Sequence, residues 1–166
     1  MTLSRIVPIG IVLTGLLLSV VAAVRADGPE HGPSTRDQHK IAAQKICPVT
    51  GKKLGSMGTP LKVKIGKEEL FLCCKGCTKG QVSREHWASV HANLAEAQGK
   101  CPVMGHDLPK NPKWTIVEGQ IVYVCCPPCT KKIEADPKTY LAKLDKLYAA
   151  SQKKEQATRQ SGASVR

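Results

Sequence analysis

The sequence predicts an α+β fold made of two tandem, small, cysteine-rich modules, each a knuckle, a β-hairpin and a helix. Three observations predict it. Cys47-Pro-Val-Thr-Gly51 recurs as Cys101-Pro-Val-Met-Gly105, and Phe71-Leu-Cys-Cys-Lys-Gly-Cys77 recurs as Tyr123-Val-Cys-Cys-Pro-Pro-Cys129. The offsets are 54 and 52 residues, so all eight cysteines fall in corresponding places. Between the two cysteine-bearing segments of each copy lies an alternating apolar run broken by a glycine-containing turn, and a helical pattern follows each cluster.

The elements follow in chain order. Residues 1–26 read as a secretory signal peptide: Arg5 precedes an apolar run from Ile6 to Val24, and Val24-Arg25-Ala26 supplies the small residues of a cleavage site. An uncleaved anchor helix is the competing reading; Pro8, Gly10 and Gly15 favour removal. Residues 27–45 form a polar leader with Gly28, Pro29, Gly32 and Pro33, closing on a short helix from Asp37 to Lys45. The first module covers 46–99. Cys-Pro-Val-x-Gly makes a tight turn, and Leu61 to Ile65, a turn at Gly66-Lys67, and Glu69 to Cys73 make the hairpin. The helix then spans much of Ser83 to Gln98 and ends at Gly99.

The second module covers 100–150. Its hairpin is Trp114 to Val117, a turn at Glu118-Gly119, and Gln120 to Cys125. A short turn from Thr130 to Ala135 leads to Asp136-Pro137, an N-cap with proline at the first helical position. The helix runs from Pro137 to about Gln152, with Tyr140, Leu141, Leu144, Leu147 and Tyr148 on one face. Residues 151–166 are polar and read as a frayed end and a disordered tail.

Composition narrows the function. Aromatic residues make up only 4% of the chain, and Phe71 is the sole phenylalanine, so the cores must be small and need a staple. Loss of Arg5 and Arg25 with the signal lowers the net charge from +12 to +10. A solvated lysine-rich surface explains this charge. Export, and the lack of a basic strand interleaved with aromatics, argue against nucleic acid as partner. No stretch after the signal is apolar enough to span a membrane. No nucleophile elbow, phosphate loop or paired carboxylates suggest an enzyme.

The staple is read from the cysteines. In each copy one comes from the knuckle and three from a strand end, as Cys-x25-Cys-Cys-x2-Cys and Cys-x23-Cys-Cys-x2-Cys. Two chain segments converging through thiolates is how small zinc folds are held, and the ion supplies about 10–16 kcal/mol of folding energy. Cys47, Cys73, Cys74 and Cys77, with Cys101, Cys125, Cys126 and Cys129, are therefore the metal candidates, for two ions of zinc or copper(I) per chain. Disulfides are the structural alternative in an exported chain. Three thiols within five residues, twice, suit a metal better than separate staples. Thiol-redox chemistry is a further alternative: Cys74-x2-Cys77 and Cys126-x2-Cys129 have the spacing but lack a βαβ context.

The same residues resemble the TRASH and YHS-type modules, carried by Cys47…Cys73-x3-Cys77, Cys101…Cys125-x3-Cys129 and the Asp136-Pro137-x-x-Tyr140 segment. The resemblance implies a treble-clef-like zinc-binding fold. It also implies a role in heavy-metal sensing, trafficking or resistance, copper above all. The expected partners are metal ions and another exported metal-handling protein. Two departures stand out. Thr50 and Met104 occupy a place where many such modules have a second knuckle cysteine, and Cys74 and Cys126 stand where a serine is frequent. Each extra thiol is either the fourth ligand or a small buried neighbour of a three-thiolate site. It reaches the ion only if the strand ends at the cysteine pair, because adjacent strand residues face opposite ways.

The remaining soft or basic side chains divide the same way. His31, His39, His86, His91 and His106 do not recur between copies, and His86 and His91 are five apart, off a common helix face. His106 lies five residues after Cys101 and is within reach of the second ion. Met104 suits copper(I) as a soft ligand, or packs. Trp87, Trp114 and Tyr123 read as core. The reading is an exported, periplasmic or extracellular metal-binding protein with no catalytic site. A structural-zinc interaction module is its main alternative. The N-terminus of exported material should be Asp27; Edman sequencing that starts at Met1 refutes the cleavage.

Overall fold

A computed structural model of the chain describes residues 33–163; the expected signal peptide and the start of the leader lie outside them. The chain forms helix α1 (Thr35–Gln44), hairpin β1 (Leu61–Ile65) and β2 (Glu68–Leu72), and helix α2 (Arg84–Gln98). Hairpin β3 (Lys113–Val117) and β4 (Gln120–Val124), then helices α3 (Pro128–Ala135) and α4 (Pro137–Ala163), complete it. The fold is α+β, with two antiparallel two-stranded sheets. Among the described residues no helix is long and apolar enough to cross a membrane.

Local chemistry accounts for the boundaries. The Ser34 hydroxyl accepts from the Asp37 N–H at 3.2 Å to start α1, and Ser83 caps α2 in the same way. Asp136 caps α4 through the Thr139 N–H at 3.3 Å, with Pro137 at the first turn. In the first hairpin Leu61 pairs with Leu72 and Ile65 with Glu68; in the second Lys113 pairs with Val124 and Val117 with Gln120. Glu118 and Gly119, the two turn residues of the second hairpin, both take positive φ, the arrangement that matches strand twist. Gly119 is needed for space as well, since a Cβ there would stand 2.5 Å from Glu69 Cγ.

Three expectations are corrected. The segment Thr130 to Ala135 belongs to a helix, not a turn, because Pro127 and Pro128 pre-set helical φ at its start. The last helix does not stop near Gln152 but runs to Ala163. No glycine or proline interrupts it before Gly162, Gln152 Nε2 donates to the His39 carbonyl at 3.0 Å, and Arg159 pairs with Glu155 one turn back at 2.7 Å. Trp114 is not core: it is 48% exposed, while Tyr123 is buried and Trp87 half-buried.

The two repeats share one compact unit. The larger apolar cluster joins Leu70, Val90 and Leu94 of the first repeat to Ile121, Val122, Val124, Ile133, Leu141 and Leu144 of the second. Every residue of β4 is consequently buried, on both faces, which replaces the alternation expected of a two-stranded ribbon. Helices α1, α2 and α4 pack against one another. The hairpins also touch: the Glu69 N–H donates to the Gly119 carbonyl at 2.7 Å. A polar chain crosses the join. Glu68 Oε2 lies 3.3 Å from His91 Nε2, and His91 Nδ1 lies 2.9 Å from Tyr123 Oη. Burial raises the Glu68 pKa, opposed by His91, and burial raises that of Tyr123.

The repeat begins one helix earlier than its cysteines reveal. Gln44, at the end of α1, donates from Nε2 to the carbonyls of Ile46 (2.9 Å) and Phe71 (2.7 Å) and accepts from the Phe71 N–H at 2.8 Å. Gln98, at the end of α2, does the same with Lys100 (2.9 Å) and Tyr123 (2.7 Å and 2.9 Å). A residue of positive φ follows each, Lys45 at 64° and Gly99 at 63°. Helix α2 thus closes the first repeat and opens the second. Gln98→Ala leaves the Tyr123 N–H and carbonyl buried without their partner, so unfolding in urea should show a loss of about 3 kcal/mol. A loss under about 0.5 kcal/mol, the range of neutral surface changes, contradicts the clamp.

Candidate metal centres

The knuckle is a backbone device. The Gly51 N–H donates to the Cys47 carbonyl at 2.9 Å and the Cys47 N–H to the Lys52 carbonyl at 2.9 Å. In the second repeat Gly105 donates to Cys101, and Cys101 to the His106 carbonyl, both at 2.8 Å. Each knuckle is pinned to the preceding helix end by Leu54 N–H to Lys45 O and Leu108 N–H to Gly99 O, both 2.9 Å.

The other thiols come from where the second strand stops. Strands β2 and β4 end at Leu72 and Val124, just before the cysteine pairs. The chain then winds into a 3₁₀ turn (Lys75–Lys79) or into α3. The Cys77 N–H donates to the Cys74 carbonyl and the Cys129 N–H to the Cys126 carbonyl. Thr78 and Thr130 close the same turn by donating to the carbonyls of Lys75 and Pro127, both at 2.8 Å. This gives the recurring threonine a structural reason.

Three thiols converge in each repeat: Cys47, Cys73 and Cys77, and Cys101, Cys125 and Cys129, with sulfurs within 4.8 Å of one another. Cys73 and Cys77 Sγ are 3.5 Å apart. A tetrahedral zinc with sulfurs at about 2.3 Å sets them about 3.8 Å apart, so the triads fit a thiophilic ion with small adjustment. All eight cysteines are free thiols. Cys74 and Cys126 stand beside the triads rather than in them, half-buried, with Sγ 3.6 Å from Cys77 and 3.1 Å from Cys129. Cys125 and Cys126 Sγ are 3.9 Å apart.

The protonation states are uneven within each triad. Burial raises the Cys47 thiol, but the backbone N–H groups of Cys73, Thr50 and Val49 and the Thr50 hydroxyl outweigh it and bring it down to about 7. Cys101 is lowered too: the N–H groups of Cys125, Met104 and Val103 overcome its burial. Cys77 goes the other way, pushed by burial and its neighbouring thiols up to about 12, and Cys129 is raised by the same causes. Burial and Cys101 also raise Cys125. In each repeat the knuckle thiol is thus shifted toward thiolate while Cys77, or Cys125 and Cys129, is shifted the other way; a bound cation would favour the thiolate form of every ligand.

The other candidates fall outside the triads. His106 is exposed and stands in neither triad, and Met104 is 49% exposed, so it does not serve as packing. His91 belongs to the chain with Glu68 and Tyr123, and lies 5.3 Å and 5.7 Å, centroid to centroid, from Trp87 and Trp114. His86 packs on the first knuckle at Gly51. His39 is a half-buried helix residue whose carbonyl accepts from Gln152, and His31 lies outside the described residues. The clamps Gln44 and Gln98 escaped the sequence reading. The signal was present: both stand three residues before the knuckle cysteine, at its offset of 54.

No family model matches the chain, and no curated protein or solved structure matches it.

The outer thiols should be the reactive ones in metal-free protein. Cys74 is lowered by the hydrogen bond from Cys77, and Cys126 by that from Cys129; both are partly exposed, whereas Cys47 is fully buried. The thiolate is the nucleophile, so lowered pKa values shift alkylation to lower pH, and the rate rises with pH toward the ordinary thiol range. Timed iodoacetamide labelling read by peptide mass spectrometry should mark Cys74 and Cys126 first. Earlier labelling of Cys77 or Cys129 contradicts this environment.

Proposed function

We propose that this is an exported protein that binds a soft or borderline metal, copper(I) or zinc, through thiolates in two repeats. It acts by sequestering the ion or passing it to another exported metal-handling protein. The observation that carries the reading is the duplicated triad of converging free thiols, all three buried in the first site and two of three in the second. The donors are all sulfur, which selects thiophilic ions over hard ones such as magnesium or calcium. The apolar run and cleavage pattern of residues 1–26 support export. The likeness of the cysteine spacing to TRASH and YHS-type modules supports metal handling. A binding role is supported by the donor set: among the described residues the groups placed to hold an ion are thiols alone, without the histidine or carboxylate ligands that catalytic zinc usually has.

A structural role for the metal is the second reading, favoured by one observation. Cys47, Cys73 and Cys77 belong to the smaller apolar cluster with Leu54, Phe71 and Leu72, so an ion there would hold a core together. Exchange separates the two. A carrier yields its ion to a modest competitor and stays folded, whereas a structural site unfolds as it loses it.

Elemental analysis of exported protein purified without added metal, paired with a free-thiol count, should give two ions and eight thiols per chain. Four disulfides and no metal overturn the proposal. Cys73→Ser should lose one ion and much of the helicity of its repeat, by forfeiting part of the roughly 10–16 kcal/mol such ions supply. Full metal and full structure in Cys73→Ser mean the first site does not exist.

A further inference from the structure

We propose that the two sites are unequal: the first is closed, and the second is an open exchange site for a soft monovalent cation such as copper(I), with the Met104 thioether as an added donor. This rests on the two-site reading above and extends it to the division of work between the copies.

The first site is covered from three directions. Cys47 and Cys73 are 0% exposed and Cys77 is 6% exposed. The Ser83 N–H, at the start of α2, donates to the Pro48 carbonyl of the knuckle at 3.1 Å. The His86 imidazole lies over Gly51, so closely that a Cβ on the glycine would stand 2.5 Å from Nε2. Val49 packs against Gly80, where a Cβ would stand 2.6 Å from Cγ1. The residue at the fourth knuckle position is Thr50, whose hydroxyl is 3.4 Å from Cys73 Sγ. A hydroxyl is a hard group that hydrogen-bonds a thiolate and adds nothing to a soft ion.

The second site lacks this cover, and the cause is α3. In the first repeat the chain passes from the cluster through a short loop directly onto the knuckle. In the second, α3 follows the cluster, and the N–H of Asp136, which corresponds to Ser83, donates to the Lys132 carbonyl instead. The knuckle is open at its glycine: a Cβ on Gly105 would meet nothing within 4 Å, where Gly51 lies under His86. Cys125 is half-buried where its counterpart Cys73 is sealed. Met104, next to this open glycine in the chain, is 49% exposed, and its backbone N–H faces the Cys101 sulfur.

A thioether there has a chemical use. It is neutral, so it binds without losing a proton, and it is soft, so it favours copper(I) over zinc. Its unbranched, flexible stem lets it fold over a three-thiolate ion or swing away as the ion is passed on. Ligand exchange needs an incoming donor to reach the metal. The open side of the second knuckle allows that approach, and the covered side of the first does not.

Copper(I) release from the full chain tests this. The protein loaded anaerobically with copper(I) is mixed with excess chromophoric bidentate chelator and followed by stopped-flow absorbance. Two phases of one ion each are expected, the fast one absent from Cys129→Ser and the slow one absent from Cys77→Ser. Met104→Leu keeps the volume of an exposed side chain and so preserves the fold. It should weaken copper(I) at the fast site about tenfold, as loss of a supporting metal contact does, and leave zinc affinity within about twofold. Two ions leaving in one phase, or a fast phase that survives Cys129→Ser and is lost in Cys77→Ser, overturn the inference alone. Unchanged copper(I) affinity in Met104→Leu removes the thioether from it. Fewer than two ions bound by the unaltered chain overturns the reading of the triads and this inference with it.

Discussion

The buried glutamine clamp is the interaction on which the arrangement depends. A thiol triad needs a cysteine from a knuckle brought against cysteines from a strand end, about two dozen residues away in sequence. Gln44 and Gln98 make that meeting. Each holds both polar groups of one residue of the second strand, Phe71 or Tyr123, and a carbonyl of the knuckle entry. A side-chain amide with every bond satisfied in a buried place has one low-energy geometry, because leaving any partner unpaired costs about 1–3 kcal/mol. Cys47 and Cys101 are fixed three residues beyond the clamps, and Cys73 and Cys125 two residues beyond the clamped strand residues.

This geometry also explains why two small modules make one body. Because α2 ends on Gln98, the helix that closes the first repeat is the helix that clamps the second. The repeats cannot separate without splitting that helix from one of its two jobs. The shared apolar cluster follows from the same overlap, since Val90 and Leu94 of α2 pack with residues of β4 and α4. The chain of Glu68, His91 and Tyr123 crosses the join in a partly dry setting, where unpaired polar groups are costly and paired ones fix register.

The energetic division between the copies is uneven. Most of the large apolar side chains gather in the shared cluster, whereas the first site sits in a small one in which three of six buried members are cysteines. A cation bound by those thiols would therefore act directly on a core with little else to hold it. The second site borders the larger cluster, and its fold leans less on an ion. The second repeat can thus leave its knuckle open, while the first must cover it.

The sequence by itself determined the duplication, the two hairpins, the span of α2 and the start of α4. Those rest on local physics: glycine-containing turns, Ser83 and Asp136 as caps, Gly99 as a stop, and apolar periods that fit strand or helix. It also pointed to the thiols as a group, because knuckle and strand-end cysteines recur together at offsets of 54 and 52 residues. Only the tertiary structure decided that Cys74 and Cys126 stand beside the triads, and that Trp114 and Met104 face outward while Tyr123 is buried. Only it decided that α4 runs to Ala163, and that α3 uncovers the second knuckle where Ser83 and His86 cover the first. Exposure and cover depend on which distant segment lies against a residue, and no local pattern of residues encodes that.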